Sequence, residues 1–160
     1  MKNLPRLALI LGLLVATTGA AVVRPAPDLS LQAGGRVRSL KSLQGQAVVL
    51  LLADSPSTRA FKRQVKEIEV SYDHFATSKV VFVAAFRDGS PGPIASNIPF
   101  VISPAGNAAC QAYALKGKFG IAIIGADGNL DYQTDQELHA NRIREVLQNS
   151  FSVQQSARRR

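Results

Sequence analysis

The sequence predicts a three-layer α/β sandwich with a mixed central sheet, and three observations predict it. Val48 to Leu52, Val80 to Phe86 and Gly120 to Gly125 are short, unbroken apolar runs, so they belong to a sheet covered on both faces. The first two flank an amphipathic helix, which makes a βαβ unit with parallel strands. Asp127-Gly128 follows the third run as a two-residue hairpin signal and adds an antiparallel pair.

Each element has its own reason. Asp28 to Leu31 and Arg36 to Leu40 read as two short strands around the Ala33-Gly34-Gly35 turn, an N-terminal β-hairpin. The long helix begins near Ser57, its expected N-cap, and stops before Lys79. Phe61, Val65, Ile68, Tyr72 and Phe75 share one face of it, while Lys62, Arg63, Lys66, Glu67 and Glu69 lie elsewhere. Arg87 to Pro93 is a surface loop of turn residues, Pro99 to Ile102 a short edge strand, and Asn107 to Leu115 a short helix carrying Cys110. After the strand Asn129 to Gln133, Thr134 and Glu137 have capping-box spacing. They announce a last helix whose Leu138, Ile143, Val146 and Leu147 close over the sheet.

Composition excludes several classes. A chain of 160 residues, 46% of them hydrophobic, supports one core and not two. One cysteine forms no internal disulfide, no CxxC pair and no cysteine zinc site, and two histidines make no histidine metal cluster. Without Lys2 and Arg6 the 19 basic groups fall to 17 against 11 acidic ones, and three of those are Arg158, Arg159 and Arg160. The charge is therefore concentrated in a short tail rather than in a stripe on a folded face, which argues against a nucleic-acid partner.

The N-terminus reads as an export signal: Lys2 and Arg6, the apolar run from Leu7 to Val15, then small residues to Ala21. Residues 1–20 are expected to be cleaved, with 21–27 as linker, 28–151 as the domain and 152–160 as a basic, flexible tail. The domain is then secreted or periplasmic and keeps no stable membrane span. The alternative is retention through a short anchor at 7–23.

Ala26-Pro27-Asp28-Leu29-Ser30-Leu31, Gly35-Arg36, Ser39-Leu40, Leu43-Gln44-Gly45 and the following apolar strand resemble the opening of extracytoplasmic redoxins of the thioredoxin-like superfamily. The resemblance runs to Asp127-Gly128, about 100 residues. It implies a thioredoxin-like three-layer α/β/α sandwich. It also places the two redox cysteines at Ser57 and Ala60, and the proline that faces them near Phe119. None of the three residue types is present, and a serine hydroxyl has no thiolate chemistry.

Phe119 to Gly128 is further similar to the F-x-x-x-L-I-G-K-D-G signature of a cysteine-poor thioredoxin-like family of unknown function. That family occurs as small secreted bacterial proteins and at the C-terminus of sushi-repeat and coiled-coil-domain extracellular matrix proteins. Arg59, Gln64, Gln154-Gln155 and the arginine tail fit it. Ala126 and Asp131 stand where that family has lysines, so the resemblance does not extend to a basic site there.

The resemblance without its cysteines implies a non-catalytic binding or accessory module whose partner is an unknown protein or an anionic surface ligand. No cofactor or metal is expected. Two alternatives stand beside it: an oxidoreductase or peroxidase working through Cys110, and a matrix or surface-glycan binder working through basic charge. Cys110 reads first as a buried core residue and second as a reactive thiol. Ser57 and Thr58 read first as helix caps and second as anion contacts, with Arg158, Arg159 and Arg160 as further anion contacts. No G-x-S-x-G elbow surrounds either hydroxyl, so no serine hydrolase is implied. His74 reads as solvated surface at a helix C-terminus, and His139 earns no role.

Overall fold

A computed structural model describes residues 24–90 and 93–159. The expected signal segment, the alternative anchor and Arg160 lie outside the described residues, as do two residues of the Arg87–Pro93 loop.

The chain runs β1 (Ser30–Ala33), β2 (Arg36–Ser39), a 3-10 turn (Leu40–Leu43), β3 (Val48–Ala53), α1 (Arg59–Val70), α2 (Tyr72–Thr77) and β4 (Val81–Phe86). It continues through β5 (Val101–Ile102), α3 (Gly106–Ala112), β6 (Phe119–Ile124), β7 (Leu130–Thr134), α4 (Ala140–Gln148) and α5 (Phe151–Arg158). The seven strands form one sheet in the order β2-β1-β5-β4-β3-β6-β7. β3 pairs parallel with β4 and antiparallel with β6, so the sheet is mixed. β3 is central because all six of its side chains are buried and nothing polar interrupts them.

Period-two alternation sorts those side chains into two cores. Val49, Leu51 and Ala53 pack with Phe61, Val65 and Ile68 of α1, Phe75 of α2 and Ile143 of α4. Val48, Leu50 and Leu52 pack on the other face with Leu29, Leu31, Leu40 and with Ala109, Cys110 and Tyr113 of α3 and its end. Each large apolar side chain buried this way contributes about 1.5–3 kcal/mol. On the first face the Phe61 and Phe86 rings meet edge to face at 5.1 Å, as Phe75 and Phe82 do at 5.5 Å.

Several expectations are corrected. The long helix is two helices, α1 and α2, broken at Ser71 (φ −117°), and its N-cap is Thr58 rather than Ser57. β5 is no edge strand: it joins β4 to β1, and the edges are β2 and β7. The β6–β7 turn is a three-residue loop, Ala126-Asp127-Gly128, closed by Gly125 N–H donating to Asn129 O (2.9 Å), with Gly128 at φ 82°. The last helix starts only at Ala140, and Thr134 and Glu137 form no capping box. Thr134 Oγ1 accepts from Gln136 N–H (3.2 Å), and Glu137 receives Arg63.

The start of α4 is instead held from α1. Gln64 is fully buried, donating to Leu138 O (2.9 Å) and accepting from Leu138 N–H (2.7 Å), while Glu67 accepts from Ala140 N–H (3.0 Å). The described part of the expected linker, residues 24–27, is also docked. Ala26 N–H donates to Gly128 O (3.0 Å), Leu130 N–H to Arg24 O (2.8 Å), and the buried Tyr113 hydroxyl to Pro27 O (2.8 Å). Of the expected flexible tail, residues 152–158 are helical as part of α5.

Candidate functional site

Because β3, β4 and β5 are parallel, their C-terminal ends lie at one pole of the sheet, and the chain leaves β3 there through Asp54-Ser55-Pro56-Ser57-Thr58 into α1. This turn is tied to itself. Thr58 N–H donates to Ser55 O (3.1 Å), Ser55 N–H to Thr58 Oγ1 (3.2 Å), and the Ser55 and Ser57 hydroxyls bond each other at 2.9 Å. Ser57 is exposed, and Ala60, in the first turn of α1, is half-buried. Neither Ser57 nor Thr58 gives the helix a side-chain cap. No imidazole or carboxylate bonds the Ser57 hydroxyl among the described residues, so it lacks the general base that a nucleophile needs.

The segment before β6 lies beside this turn. Asp54 N–H donates to Lys118 O (3.0 Å), and Ala53 stands opposite Phe119, the buried first residue of β6. The fold therefore brings the end of β3 next to Phe119. The residue that fastens the two is Arg87, which was read from sequence only as part of a surface loop. Its guanidinium pairs with Asp54 Oδ1 (2.6 Å) and donates to Leu115 O (3.0 Å) and Gly117 O (3.1 Å). A guanidinium suits this because it offers several donors in one plane, but all three partners are distant in sequence.

Cys110 lies on the opposite sheet face from α1, 2% exposed, among Leu52, Ala85 and Tyr113. Burial pushes its thiol up. The charge of Arg87 pulls it back in part, and Asp54 adds to the rise. That is the setting of an inert structural cysteine rather than of an activated one.

Beside Ser57 a groove of about 610 Å³ runs along α1, with Phe61 and Val65 as its apolar floor and Lys62, Lys66, Glu69 and Asp88 around it. The other expected anion contacts are elsewhere. Arg158 ends α5, and the start of that helix shares a concavity with Gln46 and Lys79 at the opposite pole, where β3 and β4 begin. The structure thus separates Ser57 and Thr58 from the α5 end of the chain. His74 is exposed on α2, and His139 is the exposed residue before α4, with Nδ1 at 3.5 Å from Glu67. No helix among the described residues is long and apolar enough to cross a membrane.

No family model and no curated protein sequence matches the chain. Solved structures do. The thioredoxin domain of a thiol-disulfide oxidoreductase from Bacteroides vulgatus is similar at a TM-score of 0.62 and 14% identity, over 80% of this chain and 99% of that one. Peroxidoxin BcpB from Mycobacterium tuberculosis gives 0.59 and 17% identity over 80% and 96%. The Xanthomonas campestris bacterioferritin comigratory protein, whose structure addresses alkyl peroxide reduction, gives 0.57 and 17% over 80% and 94%. The chain has the thioredoxin-like fold, in an α/β sandwich with a mixed sheet. At these identities the likeness carries the architecture, while function has to be argued from the site.

Proposed function

We propose that this protein is a thioredoxin-like module without redox catalysis, acting outside the cytosol by binding. One observation carries the reading. The turn from β3 into α1 holds Ser57, and the first turn of α1 holds Ala60, while the chain's single thiol, Cys110, is buried on the other face of the sheet. Thiol-disulfide exchange needs a thiolate that can reach its target, and neither position supplies one.

The groove along α1 is the surface on which such a module would hold a partner. The kinship with the cysteine-poor family, resting on Phe119 to Gly128, and export through residues 1–20 belong to the same proposal. N-terminal sequencing of the protein recovered outside the cytosol should start at Ala21 or Val22.

Insulin-disulfide reduction and peroxide consumption by the purified chain test the core of it. No turnover is expected from either the parent protein or Cys110→Ser, and Cys110 should react with iodoacetamide far more slowly in the folded protein than in denaturant. Turnover that is present in the parent and lost in Cys110→Ser would establish the enzyme instead.

A further inference from the structure

At the pole where β3 and β4 begin, the molecule has a second concavity, of about 300 Å³, which plays no part in the reading above. Phe75, Val80 and Leu147 give it apolar walls, and its charge carriers are Lys79 and Arg144, with His74 beside them. No carboxylate is among the described residues that line it. Some cations elsewhere have a carboxylate partner, Arg87 in Asp54, Arg63 in Glu137 and Arg142 in Glu145. Arg144 has only a 3.5 Å contact with Asn141 Oδ1, and the Lys79 ammonium has no ion pair among the described residues.

Lys79 also stands in an uncommon place. It follows the end of α2 at φ 53°, where Lys79 N–H donates to Ala76 O (3.3 Å) and Val80 N–H to Phe75 O (3.4 Å). That is the Schellman ending, whose left-handed residue is ordinarily glycine. The chain has a lysine there, and that lysine lines the concavity. Ser152 and Val153, in the first turn of α5, line the same space, as do the last residues of α4, Leu147 and Gln148.

We propose that this concavity binds a small organic oxyanion, a phosphate, sulfate or carboxylate borne on an apolar body. Lys79 and Arg144 hold the charged head, and Phe75, Val80 and Leu147 receive the body. Two unpaired cations over an apolar wall favour a ligand with both properties over either one alone. The size sits at the small end of ligand pockets and suits one ring with its head group.

The test is titration of the purified chain, by calorimetry or amide chemical shifts, with 1-naphthyl phosphate as probe and with 1-naphthol and inorganic phosphate as separate arms. The naphthyl phosphate should bind about tenfold more tightly than either arm, and Lys79→Gly and Arg144→Gln should each weaken it about tenfold, the usual effect of losing one charge-assisted bond. Lys79→Gly removes the charge while relieving the left-handed backbone. Its melting temperature should therefore equal or exceed the parent's, and lost binding in it is no folding defect. Removing residues 158–160 should leave the affinity unchanged. The proposal is overturned if the probe does not bind the parent at millimolar concentration, or if both substitutions leave its affinity intact. It also fails if either arm binds as tightly as the probe, or if removing the tail abolishes binding.

Discussion

Two helices end alike at opposite poles of the sheet, one on alanine and one on lysine. After α3, Ala114 stands at φ 50°, with Ala114 N–H on Gln111 O and Leu115 N–H on Cys110 O, both 2.9 Å. After α2, Lys79 stands at φ 53° in the same pattern. Both positions would suit glycine, so both carry the same backbone cost. Their surroundings differ. After Ala114 the segment is held by Arg87, which is bound to Asp54 and to the carbonyls of Leu115 and Gly117. Around Lys79 the cations have no such partners. The turn from β3 into α1 is therefore fastened by Arg87, whereas Lys79 and Arg144 line a concavity with no carboxylate among its described residues.

The largest effect that could break this contrast lies at Gly106. A Cβ built there would stand 2.0 Å from Phe86 O, which is backbone at the end of β4. Gly106→Ala should destabilise the protein by about 3 kcal/mol or more in urea unfolding, since α3 has to lift from the sheet. A loss below about 1 kcal/mol would mean that the pole is not rigid.

Arg87→Met comes next. It leaves Asp54 and two carbonyls without their donor, and because the pair is partly solvated the expected loss is about 1–2 kcal/mol. Cys110 should then alkylate several-fold faster than in the parent. Removing the Arg87 charge alone would raise the thiol's pKa and slow the reaction, so acceleration reports opening. An unchanged or slower rate counts against the fastening.

The smallest change sharpens the comparison. Ala114→Gly should stabilise by about 1 kcal/mol and raise the melting temperature by about 4 °C, as glycine relieves a left-handed alanine. A fall in melting temperature would show that the two helix ends are not equivalent.

The apolar runs announced the central strands because burial on both faces leaves no polar residue to interrupt them. The helical face from Phe61 to Phe75 was equally visible, yet the break at Ser71 was not. Tyr72 and Phe75 stay on the same face across it, and neither glycine nor proline marks the spot. Thr134 and Glu137 have the spacing of a cap but serve a turn and Arg63, while the start of α4 is held by Gln64 and Glu67 from 73 or 74 residues away. At the candidate site, the absence of a thiol between β3 and α1 was legible residue by residue. Arg87 was not, since a solvated arginine and one bound to Asp54 look the same in a loop.

What the sequence by itself determined is local or compositional: two buried parallel strands with a helix between them, one thiol, and a turn without sulfur. Periodicity and residue identity are properties of the chain and need no partner. Only the tertiary structure decided that β5 lies inside the sheet, that Cys110 is on the face away from α1, that Arg87 fastens the turn, and that Lys79 and Arg144 share a concavity. Each of these depends on which distant segments meet, and that choice is made by packing two cores at once rather than by any stretch of sequence alone.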